Sequence, residues 1–134
     1  MNNKIIYIAK DESETVRAYN KNRRDIFFVE IDGKKIQSRE NFVEEMAKKF
    51  GFFGKFSPPT LSWWNEYMCD LLWIEKKNIV LLISNFEAML SNDPETKKLI
   101  VEYFEEIILP WWGGNVIGHM VGGYPREFVI YLEV

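Results

Sequence analysis

Cysteine and histidine each occur once in this 134-residue chain, as Cys69 and His119. A lone thiol forms no internal disulfide, so nothing staples the fold and a reducing, cytoplasmic setting is the expectation. The two residues lie far apart in sequence, which argues against a structural zinc site. His119 sits among glycines with no Ser or Cys placed for a triad, so it reads as an ordinary loop or strand histidine. Long apolar runs are also missing. Ile5–Ala9, flanked by Lys4 and Lys10, is too short for a signal-peptide core or a membrane span. Neither GxxxxGK[ST] nor GxGxxG occurs, so no nucleotide cofactor is expected, nor any other cofactor or metal. No repeat, low-complexity tract or linker divides the chain, and one domain spanning 1–134 is expected. A basic excess is absent too. Seventeen Lys and Arg against 20 Asp and Glu leave a net charge of -3, which argues against direct nucleic-acid binding.

What is present is apolar material, 47% of residues, enough for a real core. The charge is unevenly spread. Residues 1–59 hold 12 Lys or Arg against 9 Asp or Glu, whereas 60–109 hold 4 against 9, so the middle of the chain is its acidic pole. Lys4–Ala9 reads as a short strand, followed by a short, largely solvated helix from Asp11–Glu14 onward. The cluster Arg17, Lys21, Arg23 and Arg24 admits a phosphate contact, but a solvated face explains it better. IFFVEI (26–31) is a strand, with a turn at Asp32-Gly33 in which glycine takes positive φ. Ser38 caps a helix that buries Phe42, Met46 and Phe50 and ends at Gly51. Residues 52–59 form a loop whose phenylalanines either lid the core or contact a partner.

IVLLIS (79–84) is a continuous apolar strand, the pattern of a parallel sheet buried on both faces. Asn92-Asp93-Pro94 starts a helix that Leu109-Pro110 should stop. The glycine-rich 111–125 reads as a mobile loop or irregular hairpin, with 115–120 as an added strand and Trp111 and Trp112 over the core or in a second contact patch. Glu127–Val134 is a terminal strand. The order predicts an α/β fold with a small, largely parallel sheet packed with helices, extended by an N-terminal strand or a C-terminal hairpin.

SWWNEYMCDLLW (62–73) reads as a helix with two faces. Trp64, Tyr67, Met68, Leu71 and Leu72 form the packing side; Asn65, Glu66, Cys69, Asp70 and Trp73 gather opposite. Glu66 and Asp70, four apart, slightly destabilise a helix as like charges, so they are either a plain solvated face or acids kept for a partner. Cys69 reads as a small half-buried residue, because neighbouring acids raise a thiol's pKa.

Four stretches, in this order, carry a resemblance. They are Ile31-Asp32-Gly33 with Ile36, Ser38, Phe42 and Met46; Trp64 through Leu71; Ile79-Val80-Leu81 with Phe86-Glu87; and Val101 with Phe104-Glu105-Glu106. Together they resemble the barstar family of intracellular ribonuclease inhibitors, often immunity proteins of bacterial toxins. The resemblance covers about 27–106 plus the terminal strand 127–134. It implies a barstar-like sheet, no enzymatic activity, and a cognate toxin as partner, a basic ribonuclease or other nuclease. No membrane is involved, and the chain is a monomer until the complex forms. The family's inhibitory surface is the loop before its second helix, that helix, and a glutamate late on a later helix. Matched without gaps, Asn65 and Cys69 fall on the helix's two aspartate positions; shifted by one residue, Glu66 and Asp70 do. The shift turns the face by about 100 degrees. Glu106 matches the late glutamate, with Glu105 the nearest substitute, and Phe56 and Trp73 are candidate aromatic anchors. A ribonuclease site must hold phosphates, so carboxylates on a rigid helix suit it. The departures at Asn65 and Cys69 point to a diverged inhibitor of a different toxin. The alternative is a small hydrolase using Glu66, Asp70 or Glu106 as acid and base, although no nucleophile or oxyanion motif accompanies them.

Overall fold

The computed structural model describes residues 2–54, 59–120 and 122–134. Strands β1 (Lys4–Ile8), β2 (Ile26–Asp32), β3 (Asn78–Ser84) and β4 (Glu127–Glu133) form one sheet in the order β1-β4-β3-β2. Every pairing is parallel, so each connection must cross over, and helices supply the crossovers. They are α1 (Ser13–Asn20), α2 (Arg39–Phe50), α3 (Leu61–Met68) and α4 (Pro94–Tyr103). The α/β expectation holds, and the extension is the N-terminal strand; no hairpin forms among the described residues near the C-terminus.

β3 is an inner strand and is buried from Ile79 through Ser84, as its unbroken apolar run requires. Ile79, Leu81 and Ile83 join Val29, Ile31, Phe128, Ile130 and Leu132 in the main core under α2, α3 and α4. Val80 and Leu82 are buried on the opposite face, where α1 packs. That helix is less solvated than its composition suggests. Its polar groups are satisfied by partners: Asn20 Nδ2 donates to Val16 O at 2.8 Å, and Ser13 Oγ to Glu133. Arg17 clamps Glu30 of β2 through Nε and Nη2 at 2.8 and 2.7 Å.

α2 follows its signals. Ser38 Oγ accepts from Asn41 N at 3.0 Å, and Gly51 ends the helix at φ 72. The Asp32-Gly33 turn differs from expectation, because Gly33 does not take positive φ. It is glycine because a Cβ there would run into the backbone carbonyls of Ser84 and Asn85. Asp93 caps α4 with Pro94 in its first turn.

Pro110 does not stop the chain's helical course, and 115–120 is not a strand. Two widened π turns, Phe104–Ile108 and Trp111–Asn115, flank Pro110, which keeps helical φ and ψ of -63 and -34. Leu109 N already bonds back five residues to Phe104 O, and Val116 N to Trp111 O. An offset ladder of this kind accommodates a residue without an N–H. Asn3 ties the result to the sheet, donating to Leu109 O and Arg126 O at 3.2 and 2.9 Å and accepting from Phe128 N.

Candidate functional site

α3 begins where Thr60 Oγ1 accepts from Trp63 N at 3.1 Å. It buries Leu61, Trp64 and Met68, and Trp64 meets Phe42, Tyr103 and Phe104 edge-on with ring centroids 5.0, 5.9 and 5.2 Å away. The helix ends at Met68 rather than reaching Trp73. Cys69 N bonds to Asn65 O, and the amides of Asp70 and Leu71 both turn back to Tyr67 O. Leu71 then takes the left-handed conformation at φ 46, which costs a non-glycine residue about 1–2 kcal/mol. Its fully buried side chain offsets that cost, and Arg126 Nη2 donates to its carbonyl at 2.9 Å. Trp112 Nε1 donates to Met68 O at 2.8 Å. The glycine-rich segment, expected to be a mobile loop or irregular hairpin with its tryptophans over the core or in a contact patch, thus places Trp112 in the core and buttresses the end of α3.

The early stop leaves the paired acids in different surroundings. Glu66 is exposed on α3, while Asp70 lies in the turn beyond it and is half-buried. Asp70 Oδ1 is sealed from solvent and has no hydrogen-bond partner among the described residues. Asn65 and Cys69 are half-buried and face each other, with Cys69 Sγ 3.8 Å from Asn65 Oδ1. Burial pushes the Cys69 thiol up to about 12, so it stays protonated and is no nucleophile near neutral pH. Glu106 is exposed on the first π turn, next to Tyr103 and Phe104, whose rings pack on Trp64. Glu105 points elsewhere, into an open hollow beside β1 lined also by Lys4 and Tyr7. Phe56 lies outside the described residues.

Trp73 gathers the site's aromatics. Its Nε1 donates to Phe50 O at 2.7 Å, and its ring stands 6.0, 5.0 and 6.1 Å from Phe52, Phe53 and Tyr67. Phe52 stacks on Tyr67 at 4.9 Å, and Trp63 lies 4.6 Å from Tyr67. Five rings thus form one patch along α3 and the loop before it, with Phe53 61% exposed. Trp73 is thus joined by Tyr67, expected on the packing face, and by Trp63, which the pattern assigns to neither face. The signal was there: Trp63 and Tyr67 are four apart, one helical turn.

α3 can therefore offer a partner an exposed carboxylate beside an aromatic patch, with a second carboxylate on the neighbouring π turn. Among the described residues no helix is long and apolar enough to cross a membrane. Residues 26–133 match the family model described as Barstar (barnase inhibitor). No curated protein and no solved structure gives a match. The matched span includes the π turns and the glycine-rich segment and leaves β1 and α1 outside it.

Proposed function

The chain belongs to the barstar family, and we propose that it is an inhibitor and not an enzyme: an immunity protein of the bacterial cytoplasm that covers the active site of a cognate nuclease toxin. The observation that carries this reading is α3. It lies where the family resemblance puts the inhibitory helix, it presents Glu66 to solvent, and it borders the aromatic patch. A nuclease site is basic because it binds phosphates, so an acidic, rigid surface occupies it and excludes nucleic acid. The acidic balance of residues 60–109 extends the same field.

Among the acids, the weight of this reading falls on those that face solvent. Glu66 and Glu106 face solvent, whereas Asp70 is partly sealed and Asn65 and Cys69 are neutral and engaged with each other. Those departures support a toxin other than the ribonuclease in the family's description. The hydrolase alternative gains no nucleophile, since the Cys69 thiol is held protonated.

The test is association with the product of the neighbouring reading frame, measured at several salt concentrations, for the wild type and for Glu66→Lys with Glu106→Lys. Both positions are exposed, so the fold tolerates the changes. The association rate of the wild type should fall steeply with salt, and the double variant should associate about tenfold more slowly with a flatter salt dependence. Equal rates and slopes for the two proteins would reject this surface.

A further inference from the structure

Behind Trp73 lies an open hollow of about 430 Å³. Its walls are Phe27, Phe50, Trp73 and Ile74. Phe27 and Phe50 lie 5.7 Å apart, centroid to centroid, and the Trp73–Phe50 hydrogen bond fixes the indole as one wall. Around this apolar floor stand Lys48 and Lys49 from the last turn of α2 and Lys76 from the loop before β3, against one acid, Glu75. Among the described residues none of the three lysines is within salt-bridge distance of an acid; the Lys76 ammonium reaches Ile26 O at 3.4 Å and acts on the Asp25 carboxyl only from a distance. An apolar cleft with a surplus of cations at its rim selects an apolar group carried next to negative charge.

Phe27 belongs to β2, the outermost strand on this side of the sheet, whose outer edge pairs with no strand among the described residues. An extended backbone finds hydrogen-bonding groups there that a free small anion has no use for. We propose that this cleft is a docking site for an acidic, extended peptide segment of a partner protein, which seats one large apolar side chain against Phe27, Phe50 and Trp73 and sets its carboxylates against Lys48, Lys49 and Lys76. The site is distinct from the acidic face of α3 and opposite to it in charge. It does not rest on the inhibitor reading.

The test uses acetyl-Asp-Glu-Phe-Asp-amide as the probe, added to the full chain while the indole N–H resonance of Trp73, assigned with Trp73→Phe, is followed. The acidic peptide should shift that resonance saturably. Lys48→Gln with Lys49→Gln, exposed changes that circular dichroism should show to be folded, should weaken the binding about tenfold. Acetyl-Lys-Lys-Phe-Lys-amide should bind more weakly than the acidic peptide, and so should phenylpropionate. No shift with the acidic peptide overturns the proposal, as does an equal response to the basic one. Equally tight binding of phenylpropionate would make this a small-anion site and overturn the peptide assignment.

Discussion

Two tryptophans of nearly equal burial should respond very differently to the same substitution. Trp64 and Trp112 are 0% and 1% exposed, but their indole N–H groups differ. Trp112 donates to Met68 O at 2.8 Å, whereas Trp64 Nε1 is buried and has no hydrogen-bond partner among the described residues. Replacing either by Phe leaves a cavity worth about 1 kcal/mol. Trp112→Phe also strands the Met68 carbonyl at the end of α3, adding about 1–3 kcal/mol. Trp64→Phe instead removes an orphaned donor and recovers a similar amount, so its net effect should lie near zero. The two variants should therefore differ by about 2 kcal/mol or more. In urea, with a slope of about 1–3 kcal/mol/M, that separates their midpoints by about 1 M. Unfolding followed by fluorescence and by circular dichroism, with coincident transitions and an unchanged slope, gives the comparison. Equal losses for both variants would show that the paired indole does not hold the end of α3.

Two further outcomes follow from titratable groups. Burial works against the charged form of Glu133, but hydrogen bonds from Ser13 Oγ and Asn85 N, with Lys10 and Arg17 nearby, hold its carboxyl below the usual glutamate value. A lowered folded pKa contributes stability that is present above about 4.5 and is lost as pH falls through the folded value. Glu133→Gln should therefore be less stable than wild type at pH 7, and the gap should close under acid; parallel stability curves from neutral to acid pH would refute this. The Cys69 thiol, raised to about 12 by burial, should react with iodoacetamide far more slowly at neutral pH than a free cysteine does. A rate matching free cysteine, followed by mass spectrometry, would show that the end of α3 opens readily.

Where a signal was local, the sequence carried it. Ser38, Gly51, Asp93 and Pro94 sit where capping chemistry puts them, and the apolar run of β3 correctly announced burial on both faces. The failures were tertiary. Pro110 looked like a stop because a regular helix has no room for it; the π turns on either side depend on packing and on Asn3, more than 100 residues away. The helix continuing to Trp73 was a fair periodicity, but Leu71 breaks it in a left-handed conformation that only burial and Arg126 make tolerable. The burial of Asp70 in the turn after Met68 was equally hidden from the periodicity. Gly33 was legible as necessary but not why: the obstacle is the backbone of residues 84 and 85, which no local pattern reveals.

The register of α3 decides how the proposed interface divides its labour. With Asn65 and Cys69 turned to each other and Asp70 past the helix end, the helix proper offers a single carboxylate, Glu66. An exposed charge of that kind contributes about 0–1 kcal/mol to a contact once solvent screening is counted. The neighbouring rings of Phe52, Phe53, Trp63, Tyr67 and Trp73 are the larger resource, because aromatic side chains bury about 150–250 Å² each when fully covered. If this surface binds the proposed toxin, the acids should govern approach and its salt dependence, and the rings how long the complex lasts. Glu66→Lys should act on the association rate, and Phe53→Ala, at the most exposed ring of the patch, on the dissociation rate. If both substitutions changed the association rate alone, the rings would be cover for the core and not part of the contact.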